Sequence, residues 1–538
     1  MKPEASSATT AAAAATAAAA AENASPDDAL AVVGLCPHAV DPVLSSRVVR
    51  KLDLYLVPFM LVGYGLVYYD KAILGSAALF GMTSDLALAV PVVIPPHTVG
   101  APPPQVDTRR LSWATSLFYF GMLAGLYPLS FALQRFRAGR VLGAVVVLWS
   151  LVCMLTAAVS SWRGLYAQRF ALGFVESVVP TAFMTIVSSH YTQQEQSLRQ
   201  GWWFSATGLF TIVGGALNYG FAQVRGGGLA RWQYIYLLAG ALTFLFGLVC
   251  FAAPSSPVSA WFLTPEERFV AVERLRAGQT GVRCARFKPA QLREAMADAK
   301  TWLVFVMMAS CYTMNGAVSG FGPLIVSTFG WNTLQSILLQ FPLAGLCFFV
   351  ILAVGHLGGR FTNIRVFLLV GTCLPVIVGC ALIWKSTWTH HAAAPVVGYT
   401  LTGFFGGTAS LIITLGMANV AGHTKKSFMA ATIFVAYCVG NIVGPQLVWS
   451  ETKSQHYPAL WLGLIIWWVY SKVRAVCESV VLTSLSYVIC IVASLMLYVV
   501  LRRENKARSV VPMDEAESAK LAFQDLTDKE NPYFRYVY

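Results

Sequence analysis

Apolar runs of roughly twenty residues alternate with short polar loops between Leu54 and Leu501, and the alternation repeats about twelve times. A helix rises 1.5 Å per residue, so about 20 residues cross a hydrocarbon core roughly 30 Å thick. The pattern therefore predicts transmembrane helices. The predicted spans are Leu54–Phe80, Trp113–Leu133, Val141–Ser160, Leu165–Val187, Gly201–Ala222, Tyr234–Ala253, Trp302–Val326, Leu334–Val354, Val366–Trp384, Val396–Met417, Phe428–Val448 and Val480–Leu501.

A longer polar segment, from Pro254 to Lys300, divides the spans into two sets of six. It contains a capping box at Thr264 and Glu267 that predicts a short amphipathic helix. The predicted fold is an all-α membrane protein with twelve transmembrane helices in two pseudo-symmetric six-helix bundles. The predicted regions are an Ala-rich disordered cytoplasmic tail over 1–46, an N-terminal bundle over 47–253, a cytoplasmic connector over 254–300, a C-terminal bundle over 301–501 and a cytoplasmic tail over 502–538.

Two places break the regular spacing of the spans. The first external loop carries six prolines between Pro91 and Pro104, which predicts a long extended excursion. The apolar run from Leu460 to Tyr470 is too short to cross a bilayer, and charged residues follow it as far as Glu478. It is either a re-entrant or interfacial piece, or foreign residues that interrupt one final helix. We favour the second hypothesis, a gene-model error.

Composition and charge exclude several classes of protein. Hydrophobic residues make up 57% of the chain and charged residues 12%, and the mean hydropathy is +0.61, which leaves no room for a large soluble catalytic domain. The formal charge of +13 is concentrated in alternate loops, so the positive-inside rule predicts cytoplasmic termini and no nucleic-acid partner. Eleven cysteines form no CxxC or Cys/His pattern, and no HExxH or GxSxG motif occurs. We therefore predict no metal, no cofactor and no enzymatic activity.

Ionisable residues inside the spans are candidates for a functional site, because each costs roughly 2.5–3.5 kcal/mol at mid-helix on insertion scales. The first span contains Asp70 and Lys71, and the fourth contains Arg169 and Glu176. Arg169 and Glu176 lie two turns apart, about 10.5 Å along the axis, on a stripe that should face the bundle interior. Asp70 is the expected cross-helix partner of this stripe, whereas Lys71 should point elsewhere because adjacent helical residues share no face. A buried ion pair that only holds helices together is the alternative.

Neutral polar residues of the second half could hydrogen-bond a solute, although an interhelical bond is an equal alternative for each. They are Tyr312, Asn315, Tyr437 and Asn441. The loops after the second and eighth spans occupy equivalent places in the two halves, and their basic residues could latch one state of two rocking bundles. These candidate gating residues, which topology alone would also explain, are Arg135, Arg140, Arg360 and Arg365.

Short motifs spread over nearly the whole membrane region carry a family resemblance. They are YDKAILG from Tyr69, FYFG from Phe118, RFALGFVE from Arg169, NGAVSGFGPLI from Asn315, AGHTKKS from Ala421, GNIVGPQ from Gly440 and DLTDKENPYFRY from Asp525. On these residues the chain resembles the major facilitator superfamily and, within it, the fungal anion:cation symporters related to allantoate permease. It departs from the family pattern at Leu126 and Gly359, where relatives usually carry acidic residues.

The resemblance implies a proton-coupled importer of a small organic anion, such as allantoate, ureidosuccinate or a vitamin-like carboxylate, working by alternating access. Arg169 would attract the anion, and Asp70 or Glu176 would take the coupling proton, since a carboxyl group buried beside a solute anion is more readily protonated. The expected partners are the anionic solute, protons and the lipid bilayer. The expected state is a monomer in the plasma membrane with cytoplasmic termini.

Two other functions stay open at this stage. A transporter-like nutrient receptor would bind the solute without moving it, and the long Ala-rich tail could carry its signal. A drug-exporting antiporter is the other, but the fifth span lacks the Gly-Pro signature of exporters between Gly208 and Gly215. Accumulation of solute in reconstituted vesicles separates an importer from a receptor.

Overall fold

The computed structural model of this chain describes residues 41–88, 90–91, 106–107, 109–223, 228–254, 256–276, 287–327, 329, 331–386, 393–446, 483–508, 526–531 and 533–538. The predictions for residues 1–40 of the Ala-rich tail, for most of the proline-rich loop and for residues 460–478 lie outside the described residues. Residues 42–46, which were predicted as the end of the disordered tail, are helical, because Asp41 and Pro42 start a helix there.

Helices make up most of the described chain. The N-terminal half contains α1 (Pro42–Ala77), α2 (Arg109–Arg135), α3 (Ala138–Leu155), α4 (Trp162–Glu176), α5 (Val178–His190), α6 (Gln193–Phe204), α7 (Ala206–Ala222) and α8 (Arg231–Cys250). The connector contains α9 (Pro265–Arg276) and α10 (Pro289–Ala297). The C-terminal half contains α11 (Ala299–Ser327), α12 (Thr333–Leu338), α13 (Gln340–Arg360), α14 (Arg365–Lys385), α15 (Ala393–Leu401), α16 (Phe405–Ala418), α17 (His423–Gln446) and α18 (Thr483–Arg508).

Short elements join or extend these helices. A π-helical turn (Ala78–Met82) and a single helical turn (Thr83–Asp85) follow α1, and 3-10 turns lie at Thr156–Ala158, Pro257–Ser259 and Thr402–Phe404. Strand β1 (Val90–Pro91) pairs antiparallel with β2 (Val106–Asp107), with Val90 opposite Asp107 and Pro91 opposite Val106. Two residues per strand are too few to alter the helical class of the fold.

Ten helical segments of the described chain are long and apolar enough to cross a bilayer. Two further passes, formed by α6 with α7 and by α11, bring each half to six passes. The predicted all-α architecture of six plus six helices is therefore confirmed. Because the number of passes is even, α1 begins and α18 ends on the same side, which we call the terminal face; the other side is the opposite face.

Local sequence signals set several helix boundaries. Asp41 Oδ1 accepts a hydrogen bond from the backbone N–H of Val43 over 3.0 Å, and Pro42 occupies the first turn of α1. The predicted capping box opens α9, where Thr264 N donates to Glu267 Oε2 over 3.0 Å. After α1, Gly81 has a φ of 100°, a conformation that glycine adopts without a steric penalty.

Glycines bring α2 and α4 into backbone contact. A Cβ at Gly121 or Gly125 would overlap a carbonyl oxygen of α4, and a Cβ at Gly173 would overlap the carbonyl oxygen of Phe118. Such close approach is the main source of helix association in a bilayer, where apolar burial gives little advantage over lipid. These glycines therefore allow α2 and α4 to lie closer together than larger residues at the same positions would.

The two halves meet near both faces of the membrane region. Near the terminal face, a Cβ added to Gly201 of α6 would lie 3.1 Å from the Cα of Gly355 of α13, and the reverse distance is the same. Toward the opposite face, Gln446 Nε2 of α17 donates to Ser116 Oγ of α2 over 3.0 Å. Contacts between the two halves therefore lie on both sides of the central space.

The two connector helices are attached to different halves. Helix α9 pairs with the N-terminal half, because Lys51 lies 2.7 Å from Glu267 and Arg274 lies 2.6 Å from Glu195. Helix α10 pairs with the C-terminal half through Glu294, whose Oε1 lies 2.7 Å from Lys425 Nζ. The connector thus contributes one surface helix to each bundle.

We expect Gly173→Ala to lower the thermal unfolding midpoint of the detergent-purified protein strongly, because the new methyl group would overlap the Phe118 carbonyl oxygen and separate α2 from α4. The matched control is Gly371→Ala in α14, where an added Cβ meets nothing within 4 Å. An equal midpoint for the two variants would contradict the packing described here.

Candidate functional site

A cavity of about 80 Å³ lies between the two halves. Helices α1 and α7 of the N-terminal half line it with polar side chains, and α11, α12, α13 and α16 of the C-terminal half complete it. These polar lining residues include Tyr68, Lys71, Ser76, Asn218, Asn315 and Gln340. Because both halves contribute, rocking one bundle against the other would change access to the cavity.

Lys71 supplies the positive charge of the cavity wall. Its Nζ lies 2.9 Å from Oε1 of Glu176, whose side chain is fully buried. Apart from that contact, neither carboxylate oxygen of Glu176 has a hydrogen-bond partner among the described residues. Glu176 therefore depends on one lysine for the compensation of its charge.

Three aromatic rings surround the Lys71 ammonium group. Their centroids lie 5.5 Å from Nζ for Tyr68, 5.5 Å for Phe118 and 5.4 Å for Tyr437. These distances are within the range of cation–π attraction. Tyr437 belongs to the C-terminal half and the other two rings to the N-terminal half, so the surroundings of Lys71 change if the halves move.

Several polar groups next to this cage have unused hydrogen-bonding capacity. The buried hydroxyls of Tyr68, Tyr312 and Tyr437, and Oδ1 of Asn441, have no partner within the described part of the chain. The ring centroids of Tyr312 and Tyr437 lie 4.5 Å apart. Buried polar groups in native proteins normally have partners, so these four groups are candidates to bind a solute or water.

Asp70 and Arg169 form a second polar cluster inside the N-terminal half. Asp70 Oδ2 accepts a hydrogen bond from Trp149 Nε1 over 3.0 Å, and Oδ1 accepts one from Cys153 Sγ over 3.5 Å. Arg169 donates to the hydroxyl of Tyr236, and its own Nε has no partner among the described residues. Neither Asp70 nor Arg169 lines the cavity.

The structure corrects two expectations from the sequence. The prediction that Lys71 points away from the site was wrong: adjacent helical residues differ by about 100°, which turns Asp70 into the N-terminal half and Lys71 toward the cavity. The expected partnership of Asp70 with Arg169 was also wrong, since no ion pair joins them in the described chain and Arg169 uses Tyr236 instead.

The sequence reasoning missed an amide network on the cavity wall. Asn218 Nδ2 donates to Ser76 Oγ over 2.9 Å, and Oδ1 accepts a hydrogen bond from the hydroxyl of Tyr69 over 3.2 Å. Across the cavity, Gln340 Oε1 accepts from the hydroxyl of Tyr399 over 2.6 Å. An uncharged amide in an apolar run is a weak signal, because it usually reports an interhelical bond.

The four candidate gating arginines occupy different environments. Arg135, Arg140 and Arg360 are exposed at the terminal face. Arg365 is buried at the start of α14, and its Nε donates to the carbonyl oxygen of Gly358 over 3.2 Å. The equivalence of the two loops in the sequence therefore does not extend to the placement of all their side chains.

Two further observations concern chemistry at the site. Within the described ranges, no three His, Cys, Asp or Glu side chains cluster as metal ligands. Leu126, where the family resemblance implies an acidic residue, is buried in α2. The charges near the cavity are therefore those of Lys71 and Glu176, with Asp70 and Arg169 behind them.

Two six-helix halves that enclose a polar, charged cavity between them have the architecture of a secondary transporter. The family model of the Major Facilitator Superfamily matches residues 60–445, and the chain belongs to that superfamily.

Similar proteins come from fungi. The chain is 32% identical over 499 residues to "Uncharacterized transporter C757.13" of Schizosaccharomyces pombe, covering 91% of this chain and 87% of that protein. It is 29% identical over 517 residues to the allantoate permease of Saccharomyces cerevisiae, covering 93% and 87%. The fungal allantoate permease group that the motifs indicated is thus confirmed.

The fold resembles that of the proton:xylose symporter XylE bound to 6-bromo-6-deoxy-D-glucose. The TM-score is 0.62 at 10% identity, and the match covers 88% of this chain and 98% of that structure. At this identity the likeness concerns the fold alone.

We expect Lys71→Met and Glu176→Gln each to destabilise the protein by about 3 kcal/mol, because each leaves one buried charge without its partner. The double variant should be less destabilised than the sum of the two, since it leaves no unpaired charge. Thermal unfolding of the three purified variants measures the coupling, and simple additivity would show that the pair does not act as a unit.

Proposed function

We propose that this protein is a proton-coupled symporter that imports a small organic anion by alternating access, with Lys71 as the anion-binding group and Glu176 as the proton carrier. The observation that carries the proposal is the ion pair between these two residues, 2.9 Å apart, with Lys71 on the cavity wall. An ammonium group that can bind the solute carboxylate and a carboxylate that can take up the proton are in direct contact there.

The pair couples the solute to the proton through competition for one ammonium group. While Glu176 is ionised, it occupies Lys71. A solute carboxylate that takes Lys71 would leave Glu176 as a buried anion without its cation, which favours protonation of Glu176. Solute and proton are then bound together, and the site carries the same net charge as the empty site. Binding of the solute alone, or of the proton alone, would leave the buried charges unbalanced.

The remaining groups of the cavity suit a small carboxylate with amide or ureido nitrogens. The tyrosines Tyr68 and Tyr437 belong to the Lys71 cage and Tyr312 packs against Tyr437, while amide side chains line the wall at Asn218, Asn315 and Gln340. These groups can accept hydrogen bonds from N–H donors while Lys71 binds the carboxylate. An allantoate-like, ureidosuccinate-like or vitamin-like carboxylate meets these requirements, and one relative is named allantoate permease.

This assignment moves the anion-binding role from Arg169 to Lys71. Arg169 stands behind the cavity and holds Tyr236, so we assign it and Asp70 to the organisation of the N-terminal half. The predicted roles of Tyr312, Asn315, Tyr437 and Asn441 in solute binding stay part of the proposal.

The proposed location is the plasma membrane, with the terminal face in the cytoplasm and the protein acting as a monomer. Basic residues concentrate at the terminal face, as the positive-inside rule requires of a cytoplasmic side. Examples are Arg47, Arg50, Arg135, Arg140, Arg360, Arg502 and Arg503.

The proposed function is tested by uptake of labelled allantoate, ureidosuccinate, nicotinate and pantothenate into proteoliposomes with an inward pH gradient. We expect accumulation of at least one of them, and its loss in Lys71→Met because the solute carboxylate has no cation. The matched control is Lys385→Met, which removes an exposed lysine at the end of α14. Binding without accumulation by the wild-type protein would favour the receptor alternative over a transporter.

Glu176→Gln should separate binding from proton coupling. Glutamine cannot carry a proton across the membrane, but it leaves Lys71 free for the solute carboxylate. We expect solute exchange across the vesicle membrane to persist, while accumulation driven by the pH gradient falls to the level of empty vesicles. Gradient-driven accumulation that equals the wild-type level would exclude Glu176 as the proton carrier.

A further inference from the structure

Two lysines at the terminal face are almost completely buried, although they lie far from the central cavity. Lys300 begins α11 and Lys425 lies in the first turn of α17, and each exposes 1% of its surface. A buried ammonium group is stable only when carboxylates compensate it. The C-terminal peptide, defined here as residues 526–538, supplies a central part of that compensation.

Asp528 of the C-terminal peptide bridges the two lysines. Its Oδ2 lies 2.7 Å from Lys300 Nζ and its Oδ1 lies 2.7 Å from Lys425 Nζ, and the side chain is fully buried. Burial alone would raise the pKa of this carboxyl group, but the two lysines lower it to about 2. Asp528 is therefore ionised throughout the physiological range of pH.

Further carboxylates complete the compensation. Glu294 of α10 lies 2.7 Å from Lys425, and Asp298 lies 2.9 Å from Lys425 and 3.5 Å from Lys300. Glu504 of α18 lies 3.3 Å from Lys300. The cluster thus joins the connector, the first and last helices of the C-terminal half, and α17.

Tyr536 provides a second anchor eight residues after Asp528. Its hydroxyl donates to Asp528 Oδ2 over 2.8 Å and accepts hydrogen bonds from Lys300 over 2.9 Å and Arg508 over 2.8 Å. The ring centroid lies 4.1 Å from Lys300 Nζ, within cation–π range. Tyrosine is thus used here for both its ring and its hydroxyl.

Two asparagines bind the backbone of the C-terminal peptide by paired hydrogen bonds. Asn505 of α18 donates to the Tyr536 carbonyl oxygen over 2.8 Å and accepts from the Tyr536 N–H over 2.9 Å. Asn419, just after α16, makes the same pair with Val537, at 2.7 Å for each bond. Paired amide contacts fix the register of the peptide as well as its position.

The C-terminal peptide also reaches the connector. Thr527 Oγ1 donates to Glu294 Oε2 over 2.9 Å, so α10, Lys425 and the peptide share one set of polar contacts. All the contacts named here go to the C-terminal half or to α10. Helix α9, on the N-terminal half, takes no part in them.

We propose that the terminal face of the C-terminal half contains a peptide-binding site, that the chain's own C-terminal peptide occupies it, and that this occupancy holds α10, α11, α17 and α18 together. The site recognises an aspartate within a turn and, eight residues later, a tyrosine. Occupancy of this site stabilises the C-terminal half and does not change the interaction between Lys71 and Glu176.

The test uses full-length protein with a protease-cleavage site inserted between residues 508 and 526. After cleavage, we expect the released peptide to stay with the membrane domain through gel filtration, because its contacts are non-covalent and buried. The Asp528→Asn variant should lose the peptide on cleavage. Its matched control is Glu266→Gln, which removes an exposed carboxylate from α9. Release of the wild-type peptide to the same extent as the Asp528→Asn peptide would overturn the proposal.

A second measurement does not depend on cleavage. Asp528→Asn should lower the thermal unfolding midpoint by several degrees, because it removes the carboxylate that bridges two buried lysines. Glu266→Gln should leave the midpoint unchanged. For the fraction of the Asp528→Asn protein that stays folded, the KM for uptake of the labelled compound that the wild-type protein accumulates should equal the wild-type value. Equal midpoints for the two variants, or a changed KM at an unchanged midpoint, would overturn the proposal.

The pH dependence of peptide retention follows from Asp528. A carboxyl group whose folded-state pKa is depressed stabilises the fold above its ordinary pKa and loses that effect as the pH falls through the depressed value. The groups facing Asp528 are Lys300, Lys425 and Tyr536. Around them lie the carboxylates Glu294, Asp298 and Glu504 and the cations Arg508 and Lys529. We expect retention of the cleaved peptide at pH 5 and its release only as the pH falls from about 4 toward 2. Release at pH 5 would overturn the assignment of Asp528 as the bridging group.

Discussion

Charge in the membrane interior must be balanced, and the pair of Lys71 and Glu176 is the interaction on which the candidate site depends. Lys71 and Arg169 are the basic side chains there, and Asp70 and Glu176 are the acidic ones, so the formal charges of the four side chains sum to zero. Lys71 and Glu176 are in direct contact, and their contact lies at the wall of the central cavity. A solute carboxylate can enter that balance only if another charge changes, and this constraint is the physical basis of the proposed coupling.

Backbone packing places that pair. The glycines of α2 and α4 let the two helices touch, and the carbonyl oxygen of Phe118 fills the space beside Gly173. The same Phe118 forms one wall of the cage around the Lys71 ammonium group. The close contact of α2 with α4 therefore sets the position of the Phe118 ring and of Glu176, which follows Gly173 by three residues. The site depends on residues that contact neither solute nor proton.

The terminal face applies the same rule of charge balance to a structural purpose. Lys300 and Lys425 are almost completely buried, and the chain compensates them with several carboxylates from the connector, α18 and the C-terminal peptide. Multiple partners make this cluster a stable junction, whereas Glu176 has one cation and can exchange it. The number of partners around each buried charge distinguishes the proposed transport site from the structural one.

The amino-acid sequence by itself determined the class of this protein: apolar runs of spanning length, a charged connector between two sets of six, and a few costly charges in α1 and α4. These features follow from local composition and helical period, so no knowledge of distant contacts is needed. Helix period also indicated that Asp70 and Lys71 face different neighbours. Only the tertiary structure decided which of them faces the cavity, because that depends on how α1 packs against α7, α8 and α11. It likewise placed Asn218, Gln340 and Asp528, since their partners lie far along the chain and no local pattern specifies such pairs.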